Sequence, residues 1–140
     1  MCWRIEKHKY FNNPEKYHKI ADKDIFVYKY GNVSEEDNCF HPCIKEHFTY
    51  KPNVLNKEIK LNLEENENSI LMIYVYHIIE EGYHSYSYSY RKGCHFLSQH
   101  IGKFIIPKGT EYYINEDREV VSSNIIWTGE YKINKFNHIN

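Results

Sequence analysis

The longest apolar stretch of the chain runs from Ile70 to Ile79, and nearly all of its residues are β-branched, aromatic or bulky. Ten residues of this kind favour a strand that is buried on both faces over a helix. We therefore predict that this stretch forms a central strand of the fold. Gly82 follows two glutamates and takes a positive φ at little cost, so we predict a sharp turn there.

Serine and tyrosine alternate from Ser85 to Tyr90. In an extended chain the three tyrosines share one face and the three serines share the other. Alternatively, Ser87 or Ser89 caps a helix that runs from Arg91 to His100. The buried face of that helix would hold Phe96, Leu97 and Ile101. We favour the helix, and the sequence leaves both interpretations open.

Shorter β-prone runs lie between turn residues along the rest of the chain. The clearest predicted strands are Ile25–Tyr30, Gly102–Ile106, Glu111–Ile114, Glu119–Ser123, Asn124–Thr128 and Tyr131–Ile133. Gly31-Asn32 is predicted to end the first of them, and Pro107–Thr110 is predicted to be a turn. Glu46–Lys51 is a candidate short strand, and the alternating Ile59, Leu61 and Leu63 could form an edge strand. The pattern predicts a single α+β domain over residues 1–140, mostly antiparallel β-sheet with one or two short helices.

Composition narrows the classes of function. Eighteen Lys and Arg against nineteen Asp and Glu give a formal net charge of −1, so no general field attracts nucleic acid and DNA binding is not expected. No run approaches the roughly 20 apolar residues of a membrane span. The charged N-terminus is unlike a signal peptide, so we expect a cytoplasmic protein with free thiols, no membrane contact and no cofactor.

One group of residues has metal-binding chemistry. Cys39, His41, Cys43 and His47 lie within nine residues, and zinc prefers thiolate and imidazole ligands. Pro42 lies among them and no second pair follows at the usual separation. We therefore interpret them as ordinary loop residues and assign no metal ligands.

The candidate ligand site follows the predicted turn at Gly82. Tyr83, His84, Ser85 and Tyr86 would stand at the end of a central strand, where side chains often line a concave site, and His84 titrates near neutral pH. Packing of a tyrosine-rich edge is the plainer alternative. We assign no catalytic residues, because no orienting Asn or Asp accompanies a pair of Cys94 with His84 or His100.

Basic residues beside aromatic residues complete the candidate site. Lys29 lies between Tyr28 and Tyr30, Arg91 follows Tyr90, and Lys108 lies in a predicted turn. Rings that stack on bases and cations that meet phosphates suit a nucleotide or a small anionic ligand. Solvated lysines at strand ends are the alternative for each of these residues.

Four blocks of the sequence resemble a family of small uncharacterised proteins from gut bacteria and their phages. They are Lys19–Ile25 with Val27–Lys29, Glu81–Tyr86, Phe104–Tyr113 and Val121–Ile125. Between them they reach from Lys19 toward Trp127. The resemblance implies a phage or mobile-element accessory protein and carries no known activity. That family has a Ser-Pro-Tyr and a following Phe-x-Tyr ahead of the middle block, and Phe40–Cys43 with Phe48–Tyr50 departs from the first part of this pattern, the Ser-Pro-Tyr.

A more distant likeness is to ADP-ribosyltransferase folds, through Val27–Lys29, the serine-rich segment and Ile105–Thr110. The late Glu-x-Glu and a first-strand Arg or His are missing, so the fold is implied without the chemistry. We expect a protein that acts by binding, either sequestering a nucleotide-type ligand or engaging a host defence protein in the host cytoplasm. A homo-oligomer is compatible with the sequence. The alternatives are an ADP-ribosyltransferase-like enzyme and a virion or assembly component.

Overall fold

A computed structural model describes residues 3–6, 9, 12–42, 49–57, 64–65, 69–72, 76–77, 97–114 and 118–135. These residues form one short helix and a series of strands. In chain order they are β1 Trp3–Glu6, α1 Pro14–Tyr17, β2 His18–Ile20, β3 Ile25–Ser34, β4 Cys39–Pro42, β5 Leu55–Asn56, β6 Glu64–Glu65, β7 Ser69–Met72, β8 Tyr76–His77, β9 His100–Ile106, β10 Glu111–Ile114, β11 Glu119–Ser122 and β12 Ile125–Ile133.

The strands form two sheets, and every pair of neighbouring strands is antiparallel. The smaller sheet has the order β1-β7-β6. The larger has the order β2-β10-β11-β8-β3-β9-β12-β5, and β4 pairs with β3. The predicted class is therefore confirmed in its main feature, a mostly antiparallel sheet, while the helical part of the described chain is smaller than predicted.

The middle of the larger sheet consists of β3, β9 and β12. Val27 pairs with Phe104, and Phe104 pairs with Trp127. Directly paired residues of antiparallel strands share a face, so these three side chains lie together on what we call the inner face. All three are essentially fully buried. Burying an aromatic or large aliphatic side chain contributes about 1.5 to 3 kcal/mol, so this row is a main source of stability.

Phe40 and Tyr50 cover the inner face. Their backbones exchange two hydrogen bonds of 2.8 and 2.9 Å, and neither residue is exposed. The Phe40 ring meets the ring of Phe104 edge to face at 5.1 Å and the ring of Trp127 at 5.8 Å. Edge-to-face contacts of this kind add to the free energy gained from burial. The hairpin of β3 and β4 thus supplies the ring at the centre of the core.

Gly31 does not end β3, and that prediction is wrong. The strand continues through Gly31 and Asn32 to Ser34 and pairs with β4. A Cβ atom on Gly31 would lie 2.5 Å from the Cζ atom of Phe40 and 2.5 Å from the carbonyl oxygen of His41. Glycine stands at this position because the ring and backbone of β4 pass directly over it, and it makes close approach possible rather than a turn.

Most of the other predicted strands are confirmed. β9, β10 and β11 match their predicted runs, and Pro107–Thr110 is a turn in which Gly109 has a φ of +87°. The two last predicted strands form one strand, β12, with an irregular register between Trp127 and Tyr131. Gly129, also at a φ of +87°, lies in this irregular stretch. The Trp127 indole N–H donates to the carbonyl oxygen of Glu130 at 3.1 Å there.

The described parts of the apolar run Ile70–Ile79 lie in both sheets. β7 has neighbours on both sides in the smaller sheet, and β8 lies between β11 and β3 in the larger one. The predicted helix from Arg91 falls mostly outside the described residues. Its predicted end is wrong, because His100 and Ile101 belong to β9 and Leu97 is exposed. Pairing with β3 decides the conformation here, since strand neighbours outweigh local propensity.

Candidate functional site

The predicted ligand site falls largely on residues that lie outside the described part of the chain. Tyr83, His84, Ser85, Tyr86 and Arg91 are among them. The predicted turn at Gly82 also falls there, and all of these stay predictions. Cys94, to which no catalytic role was assigned, lies outside the described residues as well. Lys29 and Lys108 are the two predicted ligand-binding residues that the structure describes.

The structure does not bring Lys29 and Lys108 together. Lys29 is paired with Gly102, whereas Lys108 lies in the turn that follows the end of β9 at Ile106. Four residues of strand separate Gly102 from Ile106, a distance of roughly 13 Å. Lys29 also shares the inner face with Val27 by alternation, whereas Tyr28 points to the other side of the sheet.

The opposite side of β3 and β9 carries the strongest candidate site. We call it the aromatic-lysine face and define it by Phe26, Tyr28, Lys103 and Ile105. Phe26 pairs with Ile105 and Tyr28 pairs with Lys103, so the four side chains share one face of two central strands. Phe26 is 48% exposed, and the other three are half-buried.

A cation–π contact organises this face. The Nζ atom of Lys103 lies 4.2 Å from the centre of the Phe26 ring. A lysine held over an exposed ring keeps its ammonium group in water while its methylene stem covers apolar surface. The arrangement therefore places a positive charge over one face of an exposed aromatic ring. An aromatic ring and a cation are the two features that recognise a base and a phosphate.

Lys108 stands near one end of the aromatic-lysine face. Its backbone N–H donates to the Asp24 carboxylate at 2.9 Å, and Asp24 is two residues, roughly 7 Å of extended chain, from Phe26. Backbone bonds join Ala21 to Thr110 at 2.9 Å and to Gly109 at 2.7 Å, which fixes the turn against the start of β3. Lys108 is exposed, and so are the nearby side chains of Asp22, Lys23 and Asp24.

Lys103 was not among the residues that the sequence pattern indicated. The sequence predicted both strands that form this face, Ile25–Tyr30 and Gly102–Ile106. It did not predict the register between them, which places Lys103 directly opposite Tyr28. Register between strands about 75 positions apart in the chain depends on tertiary packing, and here it depends on Phe40 fitting over Gly31 and Gly102.

The turn between β3 and β4 bears on the zinc hypothesis. The Cys39 thiol is buried, and it donates a hydrogen bond to the carbonyl oxygen of Asp37 at 3.4 Å. The His41 Nε2 atom lies 2.7 Å from the Asp37 carboxylate. Within the described ranges no three metal-ligating side chains come together. Cys43 and His47 lie outside those ranges.

Asp37 is the acceptor that shapes this turn. Its carboxylate accepts the backbone N–H of Cys39 at 3.0 Å. That hydrogen bond, together with the bond and the charge of His41, holds the pKa of Asp37 below its ordinary value, although partial desolvation opposes the shift. The arrangement stabilises a hairpin turn and needs no ligand to explain it.

Glu111 is the residue that we would replace by glutamine to test the alternative of an ADP-ribosyltransferase-like enzyme. It lies at the start of β10 near the edge strand β2, 3.6 Å from the Nε2 atom of His18, and it is half exposed. The His18 ring also packs against Tyr113, with ring centres 4.9 Å apart. On the neighbouring Tyr112, burial and then the charge of Asp22 raise the pKa of the hydroxyl, so it stays protonated at neutral pH. These contacts stabilise the pairing of β2 with β10.

Comparison with known proteins adds no assignment. No family model matches the chain, and no curated protein or solved structure matches it significantly. Among the residues with a described position, no helix is long and apolar enough to cross a membrane.

Proposed function

We propose that the protein acts by binding, and that the aromatic-lysine face takes a nucleotide-type ligand, with the base against Phe26 and a phosphate at Lys103. The observation that carries this proposal is the Lys103 ammonium group 4.2 Å from a half-exposed aromatic ring on two central strands. Central strands are the most rigid part of a sheet, so the two groups are held in place before a ligand arrives.

The chemistry of the face suits a ligand with an aromatic base and a negative charge. A base stacked on an aromatic side chain contributes about 1 to 3 kcal/mol. A hydrogen bond to a charged group adds about 1.5 to 3 kcal/mol. Together these contributions, about 2.5 to 6 kcal/mol, correspond to dissociation constants from roughly 15 mM to roughly 40 μM. Lys108 extends the positive charge at the end of the face, which favours ligands with more than one phosphate.

The setting we propose comes from the sequence resemblance: an accessory protein of a phage or mobile element that acts in the host cytoplasm. Sequestration of a nucleotide signal is one role that such binding would serve. Engagement of a host protein through the same exposed face is the other. The proposed ligand-binding residues from the sequence, Tyr83, His84, Ser85, Tyr86 and Arg91, remain part of this proposal.

Calorimetric titration with a nested set of ligands tests the proposal. The set is ATP, ADP, AMP, adenosine and inorganic triphosphate, which separates the contribution of the base from that of the phosphates. We expect ATP to bind more tightly than adenosine or triphosphate alone. Phe26→Ala should weaken adenosine and ATP together, whereas Lys103→Met, which keeps the apolar stem, should weaken ATP and leave adenosine nearly unchanged.

Lys57→Met is the matched control, because Lys57 is an exposed lysine beyond β5 at the edge of the sheet. It should bind as the unmodified protein does. Mass spectrometry of small molecules released by heating the purified protein identifies any tighter ligand that copurifies. Equal affinities in the Lys103→Met and Lys57→Met variants would contradict the proposal. Turnover of NAD that is lost in Glu111→Gln would instead support an enzyme.

A further inference from the structure

His100 is the first residue of β9 and lies opposite Gly31 at the end of the ladder between β3 and β9. Its Nδ1 atom accepts the backbone N–H of Val33 at 3.0 Å. A ring nitrogen that accepts a hydrogen bond carries no proton, so the imidazole is neutral and its proton is on Nε2. The backbone of β3 thus fixes both the charge and the tautomer of His100.

Three further hydrogen bonds, made by Asn32 and Asn134, hold the same segment. The Asn32 side-chain oxygen accepts the N–H of Gln99 at 2.8 Å. The buried Asn134, just beyond β12, donates its side-chain N–H to the Ser98 carbonyl oxygen at 2.9 Å and its backbone N–H to Gln99 at 2.9 Å. We call this set of residues the His100 junction, defined as Asn32, Val33, Ser98, Gln99, His100 and Asn134. The hydrogen bonds of this junction hold residues 98–100 against β3 on one side and against the end of β12 on the other.

We propose that the His100 junction is a pH-sensitive latch. Protonation of the His100 Nδ1 atom breaks the hydrogen bond from the Val33 N–H and weakens the attachment of the start of β9 to β3. The step is the uptake of one proton from solvent by the neutral ring. After it, two N–H donors face each other where a donor and an acceptor stood 3.0 Å apart. The Val33 bond is then lost, whereas the bonds of Asn32 and Asn134 do not titrate.

The groups that the structure describes around His100 include no carboxylate that faces the ring and would stabilise an imidazolium ion. From β12, the Tyr131 ring meets the His100 ring edge on at 4.9 Å, and Ile133 lies opposite in the ladder. The charged neighbours of Tyr131, Glu130 and Lys132, alternate to the other side of the strand. From β3, the residues nearest in register are Gly31, Asn32 and Val33, and the charged residue that shares the face of Gly31 is Lys29, a cation. Beyond Asn134 the next residue is Lys135, another cation.

The direction of the pH response follows from burial. Partial burial lowers the pKa of His100 from its ordinary value of 6.5. The unfolded chain therefore takes up a proton at a higher pH than the folded one does. The latch is fully closed above pH 6.5, and its contribution is lost as the pH falls through the lower pKa of the folded state.

Amide hydrogen exchange by NMR, followed from pH 7.5 to pH 5 and corrected for intrinsic exchange, tests the latch. We expect the protection of the Val33 amide to fall about tenfold as His100 titrates, the amount that one hydrogen bond contributes. The Val27 amide, in the same strand but opposite Phe104, should keep its protection. In His100→Gln the side-chain oxygen still accepts a hydrogen bond but does not titrate, so Val33 protection should not depend on pH.

The imidazole ¹⁵N chemical shifts of His100 in the unmodified protein report its tautomer, so they test the proposal without a variant. The latch requires an unprotonated Nδ1 atom and a protonated Nε2 atom in the neutral ring. The opposite tautomer would overturn the proposal. So would Val33 protection that is constant from pH 7.5 to pH 5, or a fall at Val33 matched by an equal fall at Val27, because that would mark global unfolding.

Discussion

Replacing Gly102 by alanine probes the packing on which the sheet depends. Gly102 lies in β9 opposite Lys29, and the Phe40 ring passes over it. A Cβ atom on Gly102 would lie 2.6 Å from the Cε2 atom and 2.9 Å from the Cδ2 atom of Phe40. Real Cβ contacts are not this short, so the ring or the strand must move. The ring has little room, because Phe104, Trp127 and Tyr50 surround it.

The size of the effect follows from two opposing contributions. Adding a methyl group to a well-packed core costs about 1 to 3 kcal/mol. Alanine in place of glycine within a strand otherwise gains roughly 0.5 to 1 kcal/mol, because the unfolded chain has less freedom to lose. The clash is the larger contribution, so Gly102→Ala should lower the free energy of unfolding by about 1 to 2 kcal/mol.

Equilibrium urea unfolding, followed by far-UV circular dichroism, measures this change in a double-mutant cycle with Phe40→Leu. Leucine keeps the site apolar and lacks the Cε2 atom that the new methyl group would strike. In that background Gly102→Ala should cost less, because the 2.6 Å contact is gone and the 3.0 Å approach to the Cε1 atom of Phe104 remains. The reasoning is refuted if Gly102→Ala stabilises the unmodified protein, or if it costs the same in both backgrounds.

Three further substitutions test individual polar contacts. Ser98→Ala should raise the free energy of unfolding by about 1 kcal/mol in urea titrations, because the buried Ser98 hydroxyl has no hydrogen-bond partner in the described structure; a loss of stability would contradict this. Asn134→Ala should lower the free energy of unfolding by about 1 to 3 kcal/mol, because the buried carbonyl of Ser98 loses its donor. A decrease below about 0.5 kcal/mol, the size of an ordinary surface substitution, would contradict this prediction. Because the pKa of Asp37 is lowered in the folded state, its ionised carboxylate stabilises the fold above pH 3.8, and this contribution is lost as the pH falls through the folded-state pKa. The thermal stability of Asp37→Asn should therefore depend less on acid below pH 4 than that of the unmodified protein. Equal dependence on acid would contradict this prediction.

The strands of the C-terminal part were predictable because their signals are local. Runs such as Gly102–Ile106 and Glu111–Ile114 are rich in β-branched and aromatic residues, and Pro107 and Gly109 mark the turn between them. The continuation of β3 through Gly31 was not predictable in this way. Glycine after a strand usually signals a turn, and only the distant Phe40 shows that this glycine makes room for a ring.

The ligand-binding role of the residues selected from the sequence stays a prediction. Lys29 was chosen because it lies between Tyr28 and Tyr30, although adjacent residues of a strand point to opposite faces. The lysine that contacts the Phe26 ring, Lys103, comes from another strand, and only the register between β3 and β9 identifies it. Long-range register is the information that a local pattern lacks.

A ¹⁵N-HSQC titration of the protein with ATP, with phenylalanine and lysine side-chain signals recorded in parallel, tests the central proposal most directly. The proposed binding mode predicts that shifts concentrate at Phe26, Tyr28, Lys103 and Ile105 and increase along one binding curve up to tens of millimolar ATP. Inner-face residues such as Val27 should move little. ATP-dependent shifts that map elsewhere, or no shifts up to tens of millimolar ATP, would contradict binding at the aromatic-lysine face.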